Sequence, residues 1–138
     1  MSERFEVRLR KAVHVFSAGH FITLTDDVCE PVHGHNWKVT AVIAGTTLDP
    51  DGLLCDFHTA EDVLKEIVSP FDNNNLNACE PFSTGTNPSA ELVAKHIADE
   101  LADRLDEALR PHARVASVSV TEAPGCIAKY VRVGRGEG

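Results

Sequence analysis

Residues 33–44 alternate so regularly that they predict a long β-strand with one buried face. Successive side chains of a strand point to opposite sides of the sheet, so every second residue shares a face. This strand therefore begins with two imidazoles and continues with apolar side chains that belong in a core. The shared face carries His33, His35, Trp37, Val39, Ala41 and Ile43.

Two histidines on one face of a strand can bind the same ion, and a third histidine, His20, lies shortly upstream of the pair. Three neutral imidazoles with one open coordination position are typical of a catalytic zinc site. The alternative is that some of these residues are ordinary surface or core histidines. The clustering favours a zinc site with His20, His33 and His35 as its ligands.

Cys29 lies in a polar loop between His20 and His33, close to the predicted ion. A neighbouring dication promotes ionisation of a thiol to the thiolate. If Cys29 faces a substrate, it can act as a general base. If it binds the ion instead, it is a fourth ligand and closes the site. A third interpretation is a small buried hydrophobe, which is how most free cysteines behave.

The remaining pattern predicts an α+β protein with two helices between two pairs of strands. The first helix ends at Pro70. The second begins with Asn87 as N-cap and Pro88 at the first helical position, and it runs down to Pro111. We expect a four-stranded antiparallel sheet with both helices on one face and open edges that pair with other copies. The predicted strands cover residues 5–18, 33–44, 115–122 and 127–133.

The start of the first helix can be placed in two ways. The segment Thr59-Ala60-Glu61-Asp62 resembles a capping box, whereas Asp56 can cap or anchor the same helix. The segment between the helices, residues 71–86, is rich in Asn, Ser, Thr and Gly and is predicted to be loop.

Composition excludes several classes of partner. The 138 residues form one domain, with a core at about residues 5–133 and a disordered tail at 134–138. A formal net charge of −8 argues against nucleic acid or an anionic membrane as the main partner. The four cysteines show no disulfide-type spacing, which predicts reduced thiols and a cytoplasmic location.

Two carboxylates allow a functional and an ordinary interpretation. Glu122 ends an apolar strand and could accept two parallel hydrogen bonds from an amino-amidine edge such as that of a pterin or guanine. It could equally be a solvated strand end. Asp72 lies in an asparagine-rich stretch, where a polar turn is a strong alternative to any catalytic role.

Together these motifs resemble the 6-pyruvoyltetrahydropterin synthase and 6-carboxytetrahydropterin synthase family, from about residue 5 to residue 133. Each motif alone is unspecific, but the combination is specific. The matching segments are Phe16-Ser17-Ala18-Gly19-His20, Cys29 with His33-Gly34-His35, Gly52-Leu53-Leu54-Cys55-Asp56-Phe57, Asn87-Pro88-Ser89-Ala90-Glu91 and Val118-Ser119-Val120-Thr121-Glu122.

The resemblance implies the tunnelling fold, in which subunits assemble into a trimeric barrel that is usually paired as a hexamer, with active sites between subunits. It implies a zinc-dependent lyase acting on 7,8-dihydroneopterin triphosphate or a related dihydropterin. It also implies that Cys29 is the proton-abstracting thiolate, that Asp72 is catalytic, and that Glu122 and Ser89 bind substrate.

One position departs from the family pattern. The family loop carries an Asp-His pair, and here Asn73 follows Asp72. Asparagine forms hydrogen bonds but does not shuttle protons. The resemblance therefore implies either an altered product or a catalytically silent protein that binds zinc and pterin. A purine-nucleotide enzyme on this fold, such as a GTP cyclohydrolase relative, is weaker because those sites resemble Cys/His/Cys zinc centres.

Overall fold

A computed structural model describes residues 3–10 and 14–134 of the chain. Six strands and two α-helices follow one another along the sequence, with short 3-10 turns between the helices. The elements are β1 (Phe5–Leu9), β2 (Val15–His20), β3 (His33–Gly45), α1 (Phe57–Val68), β4 (Asn74–Asn75), α2 (Ala90–Leu109), β5 (Ala113–Ala123) and β6 (Cys126–Val131).

The strands form one mixed sheet in the order β4-β2-β3-β5-β6, with β1 also paired to β3. β2 pairs antiparallel with the first part of β3, from His33 to Lys38, and β1 pairs antiparallel with its last part, from Ala41 to Gly45. The predicted strand over residues 5–18 is therefore two strands placed in succession along β3. The α+β class is confirmed, but the sheet has six strands where four were predicted, and the pairing of β2 with β4 is parallel where an antiparallel sheet was predicted.

The long central strand has the predicted alternation, because its apolar half lies under the helices. Trp37, Val39, Ala41 and Ile43 are all buried, and they pack in one core cluster with apolar residues of both helices. Burial of this continuous apolar face is the main stabilising contribution to such a fold.

The structure identifies the N-cap residue of each helix as Asp56 for α1 and Ser89 for α2. Asp56 caps α1, since its Oδ1 accepts a hydrogen bond of 3.1 Å from the His58 amide, so the capping box predicted at Thr59 is wrong. Ser89 caps α2, its Oγ accepting from the Leu92 amide at 3.2 Å. The N-cap predicted at Asn87 is therefore wrong, and the Asn87 side chain hydrogen-bonds to the main chain of Thr23 instead.

The asparagine-rich segment between the helices runs along the edge of β2. The Asp72 carboxylate accepts a hydrogen bond of 2.9 Å from the Ser17 amide, and the Asn73 amide donates to the Ser17 carbonyl at 2.6 Å. β4 then pairs parallel with Ala18 and Gly19. The segment therefore covers an edge that would otherwise present unpaired main-chain groups.

Apart from Gly134, the predicted disordered tail lies outside the described residues. Within residues 3–10 and 14–134, no helix combines the length and apolar character needed to cross a membrane.

Candidate metal centre

Strand pairing brings the three predicted ligands together. His20 ends β2 directly opposite His33, and His35 follows on the same face of β3. Their ring centroids are 4.6 Å apart for His20 and His33, 5.2 Å for His20 and His35, and 4.9 Å for His33 and His35. The neighbouring strand β5 adds Glu122, and one donor atom from each of the four residues lies within 4.8 Å of the others.

Main-chain carbonyls fix the protonation of two of these rings. Nδ1 of His20 lies 2.7 Å from the Pro88 carbonyl oxygen, and Nδ1 of His33 lies 2.9 Å from that of Pro31. A carbonyl oxygen can only accept, so Nδ1 is the protonated nitrogen in both rings. Each neutral ring then presents the lone pair of Nε2, which is the arrangement that orients metal-binding histidines.

The position of Glu122 supports a cation at this site. Its Oε1 lies 2.8 Å from Nε2 of His20 and 3.2 Å from Nε2 of His35. A carboxylate oxygen and an imidazole lone pair repel one another unless a cation lies between them or the ring holds a second proton. Nitrogen and oxygen donors in this number suit a divalent transition metal. The residues present therefore fit a metal ion.

The electrostatics of His35 keep it in the form that binds metal. Burial lowers the pKa of His35, and the nearby imidazoles of His20 and His33 add to this, against the Glu122 carboxylate, which raises it. A lowered pKa keeps the ring neutral at physiological pH, with a lone pair available for a ligand bond.

Two surface depressions include His35 in their lining. One depression of about 510 Å³ is lined by His35 together with Ser17, Asn36 and Asn73. A second, of about 410 Å³, is lined by His35, Lys38 and Glu122. Of the four donor residues, the first depression includes His35 in its lining and the second includes His35 and Glu122.

Cys29 lies outside the donor group. It is exposed on the hairpin between His20 and His33, with its Sγ 3.5 Å from the Thr23 hydroxyl oxygen. In the described part of the chain, the fourth donor beside the imidazoles is Glu122 and not Cys29. The fourth-ligand interpretation of Cys29 is therefore not supported, and its role as a base stays a prediction.

Asp72, Asn73 and Ser89 have contacts that account for their positions without a substrate. Asp72 holds the Ser17 amide, and Ser89 caps α2. Asn73 has a left-handed backbone with φ of 61°, a conformation that asparagine tolerates better than most residues. Their predicted functional roles remain predictions.

Sequence reasoning missed the groups that orient the rings. The Pro31 and Pro88 carbonyls are main-chain atoms, and no residue type signals that a carbonyl will meet an imidazole. It also missed that Glu122 contacts His20 and His35, because that contact depends on the register between β3 and β5.

The molecule is thus an α+β protein with a group of three histidines and one glutamate on its sheet that could hold a metal ion. The sequence profile of the 6-pyruvoyl tetrahydropterin synthase family matches residues 9–133. A relative from Bacillus subtilis (strain 168), named 6-carboxy-5,6,7,8-tetrahydropterin synthase, is 35% identical over 133 residues, covering 93% of this chain and 80% of the relative. A protein of the same name from Rickettsia conorii is 26% identical, and the match covers 80% of this chain and 91% of the Rickettsia protein.

Solved structures agree with the sequence matches. The 6-pyruvoyltetrahydropterin synthase of Plasmodium vivax superposes with a TM-score of 0.78 at 20% identity, covering 94% of this chain and 98% of its own. The Caenorhabditis elegans enzyme of that name gives a TM-score of 0.76 at 17% identity, covering 96% and 98%. The chain belongs to the 6-pyruvoyl tetrahydropterin synthase family. The predicted family and its tunnelling fold are confirmed.

Proposed function

We propose that this protein is a zinc-dependent lyase that acts on 7,8-dihydroneopterin triphosphate or a related dihydropterin. The observation that carries the proposal is the convergence of His20, His33 and His35, with carbonyl contacts directing the Nε2 lone pairs of His20 and His33 toward the group. Family membership supports the class of reaction.

The three imidazoles would hold zinc, which when bound supplies Lewis acidity toward the hydroxyl groups of the substrate side chain. Cys29 is the proposed general base, placed on a hairpin that begins and ends near the ligands. Thiolates can remove a proton in such a step if they lie within hydrogen-bond reach of it.

Glu122 could serve either as a fourth ligand or as the pterin anchor. A fourth protein ligand would close the coordination position that a substrate needs, as in structural zinc sites. We therefore assign Glu122 to the pterin, whose amino-amidine edge would donate two hydrogen bonds to the carboxylate. Glu122 and Lys38 line the same depression, which gives a guest molecule access to that carboxylate.

Asn73 favours a second candidate function, a catalytically silent protein that binds zinc and pterin. Its side chain borders the same depression as His35 but cannot transfer a proton. Loss of a general acid or base typically slows a reaction by about 10²–10⁴-fold. The lyase proposal therefore includes an altered product, such as one formed by side-chain cleavage.

The test is to incubate zinc-loaded protein with 7,8-dihydroneopterin triphosphate and to follow pterin products by chromatography. Turnover that is lost in Cys29→Ala supports the lyase. Pterin binding without turnover, with turnover gained in Asn73→His, supports the silent protein. Failure to bind any pterin contradicts both functions.

We also propose a single-domain subunit that assembles as a trimer or hexamer in the cytoplasm. Support for assembly comes from β6, an edge strand whose Ile127 and Val131 side chains are exposed. The four cysteines are free thiols, which suits a reducing compartment. Light scattering of the purified protein tests the assembly, and a monomer would contradict it.

A further inference from the structure

A hairpin at residues 21–30 carries Cys29 and lies between two of the candidate metal ligands, His20 and His33. It follows His20 and is closed by a bridge between Thr23 and Cys29. The Glu30 amide donates to the Ile22 carbonyl at 3.0 Å, while the Glu30 carboxylate accepts from the Ile22 amide at 3.1 Å. Since Cys29 is exposed, packing does little to place this thiol.

Two asparagine side chains hydrogen-bond to the main chain of the hairpin just after His20. The Asn77 carboxamide accepts from the Phe21 amide at 2.9 Å and donates to the Phe21 carbonyl at 3.0 Å. The Asn87 carboxamide does the same at Thr23, at 3.0 and 2.9 Å. Each carboxamide thus replaces the main chain of a neighbouring strand, at alternate residues of the hairpin arm.

Of these two asparagines, Asn87 is connected more directly to the Cys29 thiol, through Thr23. Thr23, which it holds, is both the main-chain partner of Cys29 and the residue whose hydroxyl lies 3.5 Å from the Cys29 sulfur. The next residue, Pro88, supplies the carbonyl that orients His20. One short segment therefore contacts both the arm that bears the thiol and the ring of a ligand.

We propose that Asn87 is a positioning residue, which sets the Cys29 thiol in register with the imidazole cluster through Thr23. This inference rests on the proposed function in one respect, the role of Cys29 as the reacting base. A group displaced by about 1 Å can lose about 10²-fold in rate, so a small release of the hairpin is enough to matter.

The test compares Asn87→Ala with Asp49→Ala as a matched control. Asp49 also makes two side-chain hydrogen bonds to main-chain amides, those of Asp51 and Leu53, in a turn beyond the opposite end of β3. Three readouts are measured: amide hydrogen exchange across residues 21–30, zinc content, and kcat with KM. The isosteric Asn87→Asp, which lacks the donor to the Thr23 carbonyl, replaces Asn87→Ala if that variant does not fold.

We expect hairpin amides to exchange at least about tenfold faster in Asn87→Ala, with kcat lower by about 10–10²-fold, KM within about threefold and zinc content unchanged. Asp49→Ala should leave all three unchanged. Exchange confined to Thr23, or an unchanged kcat per zinc-loaded subunit, overturns the proposal. If the wild type shows no turnover, the proposed function fails, while hydrogen exchange still decides whether Asn87 holds the Cys29 hairpin.

Discussion

Two histidines, His20 and His96, lie at opposite ends of one continuous row of aromatic rings, and only one of them belongs to the candidate site. Consecutive ring centroids along this aromatic row are 4.9, 5.9, 5.7 and 5.8 Å apart. The row consists of His20, Trp37, Phe16, Phe71 and His96.

The two ends differ in what surrounds the imidazole. His20 contacts two further imidazoles and a carboxylate, and a carbonyl holds its Nδ1. His96 packs edge-on against Phe71 and Phe82. A poorly exposed imidazole therefore does not by itself indicate a site, whereas converging lone pairs do. Substitutions at four positions, Phe16, His33, Glu122 and His96, test this contrast between the two ends of the aromatic row.

Phe16→Ala should remove the middle of the aromatic row and destabilise the whole subunit. Phe16 is 1% exposed and contacts both Trp37 and Phe71. Truncation of a buried Phe costs about 3–5 kcal/mol. Urea unfolding of zinc-free protein measures this loss, and Phe57→Ala, at an exposed position on α1, should cost at most about 1 kcal/mol. A loss below about 1 kcal/mol for Phe16→Ala would mean that the two ends are not joined by a common core.

His33→Ala should abolish tight zinc binding with little effect on the zinc-free fold, because His33 is exposed. Losing a residue that merely orients a ligand already costs about 10–100-fold in metal affinity, so removal of a ligand should cost at least about 100-fold. Titration against a competing chelator measures the affinity. His96→Ala is the matched control and should keep wild-type affinity. Equal losses in both variants would break the contrast between the two ends.

The part of the site that the sequence predicts depends on local pattern. Alternation along β3 places His33 and His35 on one face, and that face is shared with the buried Trp37. The contacts of Asn77 and Asn87 were not predictable in this way. They depend on which main chain lies opposite each carboxamide, and distant packing decides that. Residues 71–86 therefore resembled an ordinary loop, although Asp72 and β4 cover the edge of β2.

The start of α2 also depends on a contact that the local sequence does not reveal. The Asn87-Pro88 pattern predicted Asn87 as the N-cap of α2, although Ser89 is an equally good capping residue. In the fold, Asn87 binds the Thr23 main chain, so Ser89 caps α2. A tertiary contact thus overrode the helix start that local preference predicted.

Glu122→Gln, at the His20 end of the aromatic row, should weaken pterin binding more than zinc binding. If Glu122 anchors pterin, the variant loses a charge-assisted hydrogen bond worth about 1.5–3 kcal/mol, which weakens pterin binding by at least about tenfold. Zinc affinity should change by less than about tenfold. Calorimetric titrations with zinc and with a dihydropterin measure the two affinities. A zinc loss as large as that of His33→Ala would instead make Glu122 a fourth ligand.

His96→Gln should slightly change how the free energy of unfolding depends on pH, because His96 packs among Phe71 and Phe82. Burial lowers the pKa of His96, and Lys95 adds to this, against Glu100 and Asp99, which raise it. The unfolded chain therefore takes up a proton at His96 below about pH 6.5 before the folded state does, so this contribution to stability is complete above that pH and is lost as the pH falls. Urea unfolding of zinc-free protein at about pH 7.5, 6.5 and 5.5 should show a shallower decline in His96→Gln than in the wild type. Identical slopes would mean that burial among Phe71 and Phe82 does not disfavour the charged imidazole.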